Sequence, residues 1–288
     1  MGFLKKWIRP LSPIFFKLSL YTMKVLGKKT ILIFWNRGLG DIALGLFGLN
    51  QRIKEIIPDA KITYYTRQDL KQGFELLNDC QTIVDVTLQR GKPFHLDQRF
   101  FSLYDTVILN PNPTDWLLDQ LHKVVPTLYL KELKQPGAKE KIAIHVQTET
   151  GQFYGYEKNW PIERFIELIR YLNQKDIRPV LLGVKKDDHF SSLQVEDWRG
   201  EKELNEVLTC ILQECSILIA PDSGILSLVY YLNHQVDLLV ISLWSDPRQG
   251  ILKHGVGSPN QRLKNIPLIE KNLKNLSVER VIDAIERK

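Results

Sequence analysis

With 288 residues the chain has room for two α/β domains, each with its own core. Its 44% hydrophobic and 25% charged residues are ordinary for a soluble protein. The net charge of +6 is local: Lys5, Lys6, Arg9, Lys17, Lys24, Lys28 and Lys29 lie in residues 1–29 with no acidic residue, leaving 32 basic against 33 acidic residues elsewhere, which excludes a nucleic-acid surface spread over the fold.

Along residues 1–29, Leu4, Trp7, Ile8, Leu11, Phe15 and Leu18 recur close to helical spacing. Ser12 before Pro13 reads as an N-cap and a first-turn proline, opening a helix over 13–27. Lys17 and Lys24 interrupt its apolar residues, so no uncharged run approaches the ~20 residues that span a bilayer. No small-residue cleavage pattern of a signal peptide follows. The segment reads as an interfacial helix on an anionic membrane surface; a helix packed on the protein's own surface is the alternative.

From residue 30 apolar strands alternate with helices. Strands are expected at 30–35, 61–65, 82–86, 106–109 and 124–130, with helices over 42–57 and 115–123. The polar turn Lys134-Gln135-Pro136-Gly137 reads as a linker. The same plan then restarts: strands at 141–146, 179–183, 217–220 and 236–243, and helices over 162–173, 203–214, 224–232 and 277–287. The pattern specifies parallel sheets covered on both faces, in domains 30–135 and 140–288.

Three turns from strand to helix carry the chemistry. Gly38-Leu39-Gly40-Asp41-Ile42-Ala43 fits a dinucleotide loop. Thr66-Arg67 stands where the acidic ribose partner belongs, which leaves only a phosphorylated cofactor such as NADP for that reading. Otherwise the glycines admit another molecule to the backbone while Asp41 projects beside it, or Asp41 is simply a helix cap. Lys158-Asn159-Trp160-Pro161 precedes a helix, and Lys158 reads either as a surface lysine or as a point charge able to reach an anion. The loop Gln147-Thr148-Glu149-Thr150-Gly151 offers polar groups to a phosphate. Asp222-Ser223-Gly224 ends a strand and opens a helix, where unpaired amides and the helix dipole favour an anion, although capping alone accounts for two of these residues. His95, His122, His145, His189, His234 and His254 lack ligand spacing, and Asp187-Asp188 lacks the alternation that holds a metal on a diphosphate. Cys80, Cys210 and Cys215 read as reduced structural thiols.

Taken in order, Asn36-Arg37-Gly38-Leu39-Gly40-Asp41, Ile57-Pro58-Asp59-Ala60-Lys61, Lys158-Asn159-Trp160-Pro161, Asp197-Trp198-Arg199-Gly200 and Ala220-Pro221-Asp222-Ser223-Gly224 resemble the heptosyltransferases, glycosyltransferase family nine, of lipopolysaccharide core assembly. The resemblance covers most of residues 30–288. It implies a GT-B fold, two Rossmann-like doubly wound domains facing across a cleft. It also implies inverting transfer from an ADP-activated sugar to a lipid-linked saccharide, with no metal or other cofactor, at the cytoplasmic face of the inner membrane. On that resemblance Asp41 is the general base and Arg37, Gly38 and Gly40 form the acceptor-side loop. Thr148, Thr150, Lys158, Asp222, Ser223, Gly224 and Ser227 hold the donor. Two departures stand out. The family usually has a histidine where Ser227 lies, and the first domain is short. They motivate a second reading, a non-catalytic nucleotide-sugar-binding or scaffold protein; the third is the NADP-dependent oxidoreductase.

Overall fold

The protein is described by a computed structural model covering residues 15–90, 92, 97–112, 124–131, 133, 139–148 and 157–287. Thr150, residues 1–14, the linker at 134–137 and the helix read over 115–123 lie outside the described residues. The chain divides into two compact units, Met1–Pro126 and Thr127–Lys288.

In the first unit β1 (Thr30–Trp35), β2 (Lys61–Thr66), β3 (Cys80–Val84) and β4 (Thr106–Leu109) form one sheet in the order β3-β2-β1-β4. All its pairings are parallel. β1 is buried almost throughout, as its continuous apolar run requires of a central strand. Helix α1 spans residues 15–25. It buries Leu20 and Met23, and the Thr106 hydroxyl donates to Met23 Sδ, while Phe15, Leu18, Tyr21, Val25 and Leu26 stay exposed. The helix expected over 42–57 begins as a wide π turn, Ile42–Leu46, and continues as α2 (Phe47–Ile56). Short helices α3 (Lys71–Glu75) and α4 (Arg99–Leu103) follow β2 and precede β4 in turn.

The second unit carries β5 (Lys141–His145), β6 (Val180–Leu182), β7 (Glu196–Asp197), β8 (Cys215–Pro221), β9 (Leu238–Trp244) and β10 (Leu263–Ile269). Their order is β10-β9-β8-β5-β6-β7, again parallel throughout. In chain order from β5 this is 3-2-1-4-5-6, the Rossmann arrangement, whose order reverses between β5 and β8. Alternate residues of β5, β8 and β9 (Ile142, Ile144, Ile217, Ile219, Leu239, Ile241 and Leu243) pack in one apolar cluster with α5 (Ile162–Gln174) and α9 (Val278–Glu286). His145, Ala220 and Ser242 therefore point to the opposite face. Helices α6 (Leu204–Gln213), α7 (Gly224–Tyr231) and α8 (Gly250–His254) connect the remaining strands.

The strand expected over 124–130 does not form. Leu128 makes a single bridge to Leu232, and the Leu130 N–H donates to His234 Nε2, so the stretch from Thr127 onward belongs to the second unit. β10 was not expected, because Lys264, Asn265 and Pro267 interrupt its apolar residues. An edge strand tolerates all three, and its proline has no N–H to leave unpaired.

Candidate functional site

In the first unit β1 ends in Asn36-Arg37-Gly38, beside the end of β4, where this sheet reverses its strand order. The loop is braced from several sides. The Asn36 N–H donates to Asn110 Oδ1, the Asn36 amide to the Gln89 carbonyl, and the buried Arg67 guanidinium to Asn36 Oδ1 and the Arg37 carbonyl. Asn110 itself holds a left-handed φ of 40°, which asparagine tolerates better than most residues. Arg67 also forks onto Asp69 at 2.8 Å. It is thus spent on the fold, which argues against its receiving a cofactor phosphate as the NADP reading asks.

Asp41 sits where the loop becomes helix, yet its carboxylate makes no cap bond to the helix. It turns back and accepts the Gly38 N–H at 3.2 Å. A Cβ on Gly38 would lie 2.9 Å from Asp41 Oδ2 and 3.8 Å from Arg90 Nη2, so the glycine makes room for the carboxylate. The Gly40 carbonyl accepts the Leu44 N–H at 3.0 Å, and the Phe47 N–H then reaches back five residues to the Ile42 carbonyl, the bond that makes the turn π. Such turns recur at functional sites because they re-aim the helix start. Arg37 is exposed, its guanidinium 5.9 Å over the Trp35 ring.

In the second unit the expected donor residues gather at the tips of β5 and β8, the place where the strand order reverses and such sheets bind ligands. Thr148 follows β5, its N–H donating to Asn159 Oδ1 at 2.8 Å while the Asn159 amide returns to the Thr148 carbonyl at 3.1 Å. This bridge holds Lys158 at the tips. Trp160 goes into the core, its indole N–H on the Leu276 carbonyl and its ring edge-on to Phe165. Lys158 is not the surface residue its type suggests: its side chain is 8% exposed and pairs with Asp222 Oδ2 at 2.6 Å. Ser223 caps α7, its hydroxyl accepting the Leu226 N–H at 3.2 Å, and Gly224 is the first helical residue. Ser227 is buried and donates to the Ser223 carbonyl at 3.0 Å, so it tightens the helix start where the family histidine would stand.

Three further features depend on the fold. Gly250, in left-handed φ at +48°, packs so closely that a Cβ there would lie 2.6 Å from Asp222 Oδ1 and 2.8 Å from Trp244 Cη2. Arg199, 1% exposed, forks onto Asp197, pairs with Asp187 and lies 4.7 Å over Phe190, locking the β7 turn. Its position in the Asp197-Trp198-Arg199-Gly200 block was a usable signal; its partner Asp187, twelve residues upstream, was not. Finally, the buried nitrogens His145 Nδ1, Trp244 Nε1 and His254 Nδ1 have no hydrogen-bond partner among the described residues. Burial pushes the pKa of both histidines down to about 4, leaving them neutral at physiological pH.

A cavity of about 530 Å³ lies at the tips of β9 and β10. Its rim carries Glu157, Asp246, Arg248 and Lys271, with Arg248 forking onto Asp246 and holding that carboxylate down at about 2. Among the described residues no group of His, Cys, Asp or Glu could hold a metal ion, and no helix is long and apolar enough to cross a membrane.

With this geometry in view, the chain is similar in structure to E. coli ADP-heptose lipopolysaccharide heptosyltransferase II, at 15% identity and TM-score 0.60 over 90% of this chain and 98% of that one. It is similar to a glycosyltransferase family 9 structure from Veillonella parvula at 17% identity and TM-score 0.58, over 90% and 96% of the two chains. A third likeness is to E. coli heptosyltransferase WaaC with ADP, at 15% identity and TM-score 0.55, over 90% and 99%. The fold is that of the heptosyltransferases. No protein-family model matches the chain, and no curated protein matches its sequence. Two parallel sheets with helices between their strands are thus the α/β architecture that the sequence resemblance implied.

Proposed function

We propose that the protein is a metal-independent inverting glycosyltransferase. Its donor is an ADP-activated sugar, heptose being the sugar named for its structural neighbours, and its acceptor a lipid-linked saccharide of the lipopolysaccharide-core kind. The observation that carries this reading is the meeting of Lys158, Asp222 and the start of α7 at the strand-order reversal of the second sheet. A diphosphate there lies on the amides of Ser223 and Gly224, with the Lys158 ammonium beside it. In the transfer step, the acceptor hydroxyl loses its proton to Asp41 as its oxygen attacks the anomeric carbon. The bond from that carbon to the diphosphate breaks on the opposite side and the ADP oxygen leaves with the electron pair, which inverts the centre. Lys158 and the helix amides stabilise the charge arriving on the leaving group, the part a metal ion plays elsewhere.

Membrane attachment through residues 1–29 belongs to this proposal. α1 spends Leu20 and Met23 on the fold and leaves Phe15, Leu18, Val25 and Leu26 exposed among Lys17, Lys24 and Lys28. That composition suits an anionic leaflet and supports a location on the cytoplasmic face of the inner membrane, beside a lipid-linked acceptor. Nucleic acid is not a partner on this reading.

Ligand-induced stabilisation tests the donor assignment: ADP and an ADP-sugar raise the melting temperature and NADP does not. Transfer is then followed as ADP release with a lipid-linked saccharide acceptor, and Asp41→Asn is expected to abolish it. Full transfer by that variant removes Asp41 from the role of base. ADP stabilisation without turnover across a panel of acceptors favours the non-catalytic reading that Ser227 and the short first domain motivate.

A further inference from the structure

Lys158, the cation assigned to an incoming anion, already holds one. Asp222 Oδ2 lies 2.6 Å from its Nζ, in a pair whose side chains are 8% and 10% exposed. The other carboxylate oxygen, Oδ1, is backed by the bare Cα of Gly250, where a methyl group would sit 2.6 Å away. The same methyl would strike Trp244 Cη2 at 2.8 Å and Cζ3 at 3.0 Å, and the backbone there is left-handed at +48°. Glycine is demanded twice over, by space and by conformation. The Trp244 ring closes the corner, itself 1% exposed. Strand pairing accounts for the meeting: Ala220 pairs with Ser242 and Pro221 with Leu243, so Asp222 and Trp244 come next on neighbouring tips and face the same side.

We propose that Asp222 is a resident counter-anion for Lys158, seated by Gly250 and Trp244, which the donor's diphosphate must displace to reach the lysine. It is a positioning residue, and this role rests on the diphosphate reading given above. Before the donor binds, the pair keeps the ammonium aligned and the buried charge balanced. When the diphosphate arrives, two anions share one ammonium and repel each other. The site thereby gives up ground-state affinity, and after transfer the carboxylate recovers the lysine and helps to expel the nucleotide. Binding energy withheld from the bound ground state in this way favours turnover over tight binding.

The prediction separates this role from a merely structural one, because it runs against the usual effect of damaging a site. Asp222→Asn keeps the shape and removes the repelling charge. Gly250→Ala pushes the carboxylate off its seat. Each variant is expected to bind inorganic pyrophosphate and ADP about tenfold more tightly than the wild-type chain, measured by calorimetry at low salt. Each is also expected to show a lower KM for the ADP-sugar together with a lower kcat, as release of the nucleotide slows. If Gly250→Ala does not fold, Asp222→Asn decides alone, since it leaves the corner untouched. Wild-type binding of pyrophosphate or ADP that Asp222→Asn leaves unchanged or weakens overturns the counter-anion role and spares the diphosphate site. Failure of the folded wild-type chain and of Asp222→Asn to bind either probe overturns both.

Discussion

Replacing Gly38 by alanine tests the catalytic assignment of Asp41 without touching the carboxylate. Gly38 is not among the residues with positive φ, so its backbone accepts alanine and the effect is one of space alone. The new Cβ would lie 2.9 Å from Asp41 Oδ2, well inside ordinary contact, and the carboxylate must retreat by roughly half an ångström or more. Retreat also stretches the 3.2 Å bond from the Gly38 N–H, which as a bond to a charged group contributes about 1.5–3 kcal/mol. A reacting group misplaced by about 1 Å costs on the order of 10²-fold in rate. The expected result is therefore a kcat lowered about 10- to 100-fold, read as ADP release at saturating donor and acceptor. ADP affinity should be unchanged, because the residues proposed to hold the nucleotide, Lys158, Ser223 and Gly224, belong to the other unit. A kcat within about twofold of wild type would refute the claim that this turn aims the base. An equal loss of ADP affinity would move Asp41 from the acceptor side to the donor side.

Three further predictions concern stability and charge. Lys158→Met leaves Asp222 buried without its ammonium and should cost about 3–5 kcal/mol in urea unfolding, while the double variant Lys158→Met, Asp222→Asn should recover most of that loss; equal losses in both would mean the pair does not form. Arg199→Lys cannot keep the fork onto Asp197 and the contact with Asp187 together, so a loss of about 3 kcal/mol and a melting temperature lower by several degrees are expected by calorimetry. His145 and His254 are held near pKa 4 in the folded chain against about 6.5 unfolded. Their folded pKa values are depressed, so the unfolded chain binds protons first. Stability is whole above pH 6.5 and falls as the pH drops towards 4, by about 3 kcal/mol for His145 alone. His145→Asn should flatten that fall in urea midpoints measured between pH 7.5 and 4.5, and an unchanged slope would show that the imidazole is not buried neutral.

What could be read from the chain alone follows from how far each determinant reaches along it. β1, β8 and β9 are buried on both faces and appear as predominantly apolar runs, so their positions were legible to within two or three residues. β10 lies at the edge of its sheet, where Lys264 and Pro267 are tolerated, and the same rule hides it. Segment 124–130 misled for the opposite reason: Val124-Val125 and Leu128-Tyr129-Leu130 have strand composition, but only one residue finds a bridge. At the candidate site the caps were legible because capping is local: Ser223 stands three residues before the amide it accepts. The pairing of Lys158 with Asp222 was not, since sixty-four residues and three strands separate partners that only the Rossmann strand order brings together.

The same distinction explains why Gly250 carries no local signal and why Arg67 invites the wrong use, while Gly38 is legible. Gly38 lies in a motif whose spacing is set within a single turn, so its neighbour Asp41 is visible beside it. Gly250 earns its conformation from Asp222, twenty-eight residues away, and from the last ring of β9. Arg67 stood where a cofactor phosphate would be received, and the sequence alone allowed that use. Its bonds to Asn36 and Asp69 turn it into a brace for the glycine loop instead. A buried guanidinium with these partners gives up bonds to the loop if it turns to a ligand, so removing it should first disturb the loop that holds Asp41. Arg67→Met is expected to lower kcat in the manner of Gly38→Ala and to leave NADP binding as absent as before. NADP stabilising the wild-type chain, and not the variant, would restore the dinucleotide reading in place of the one advanced here.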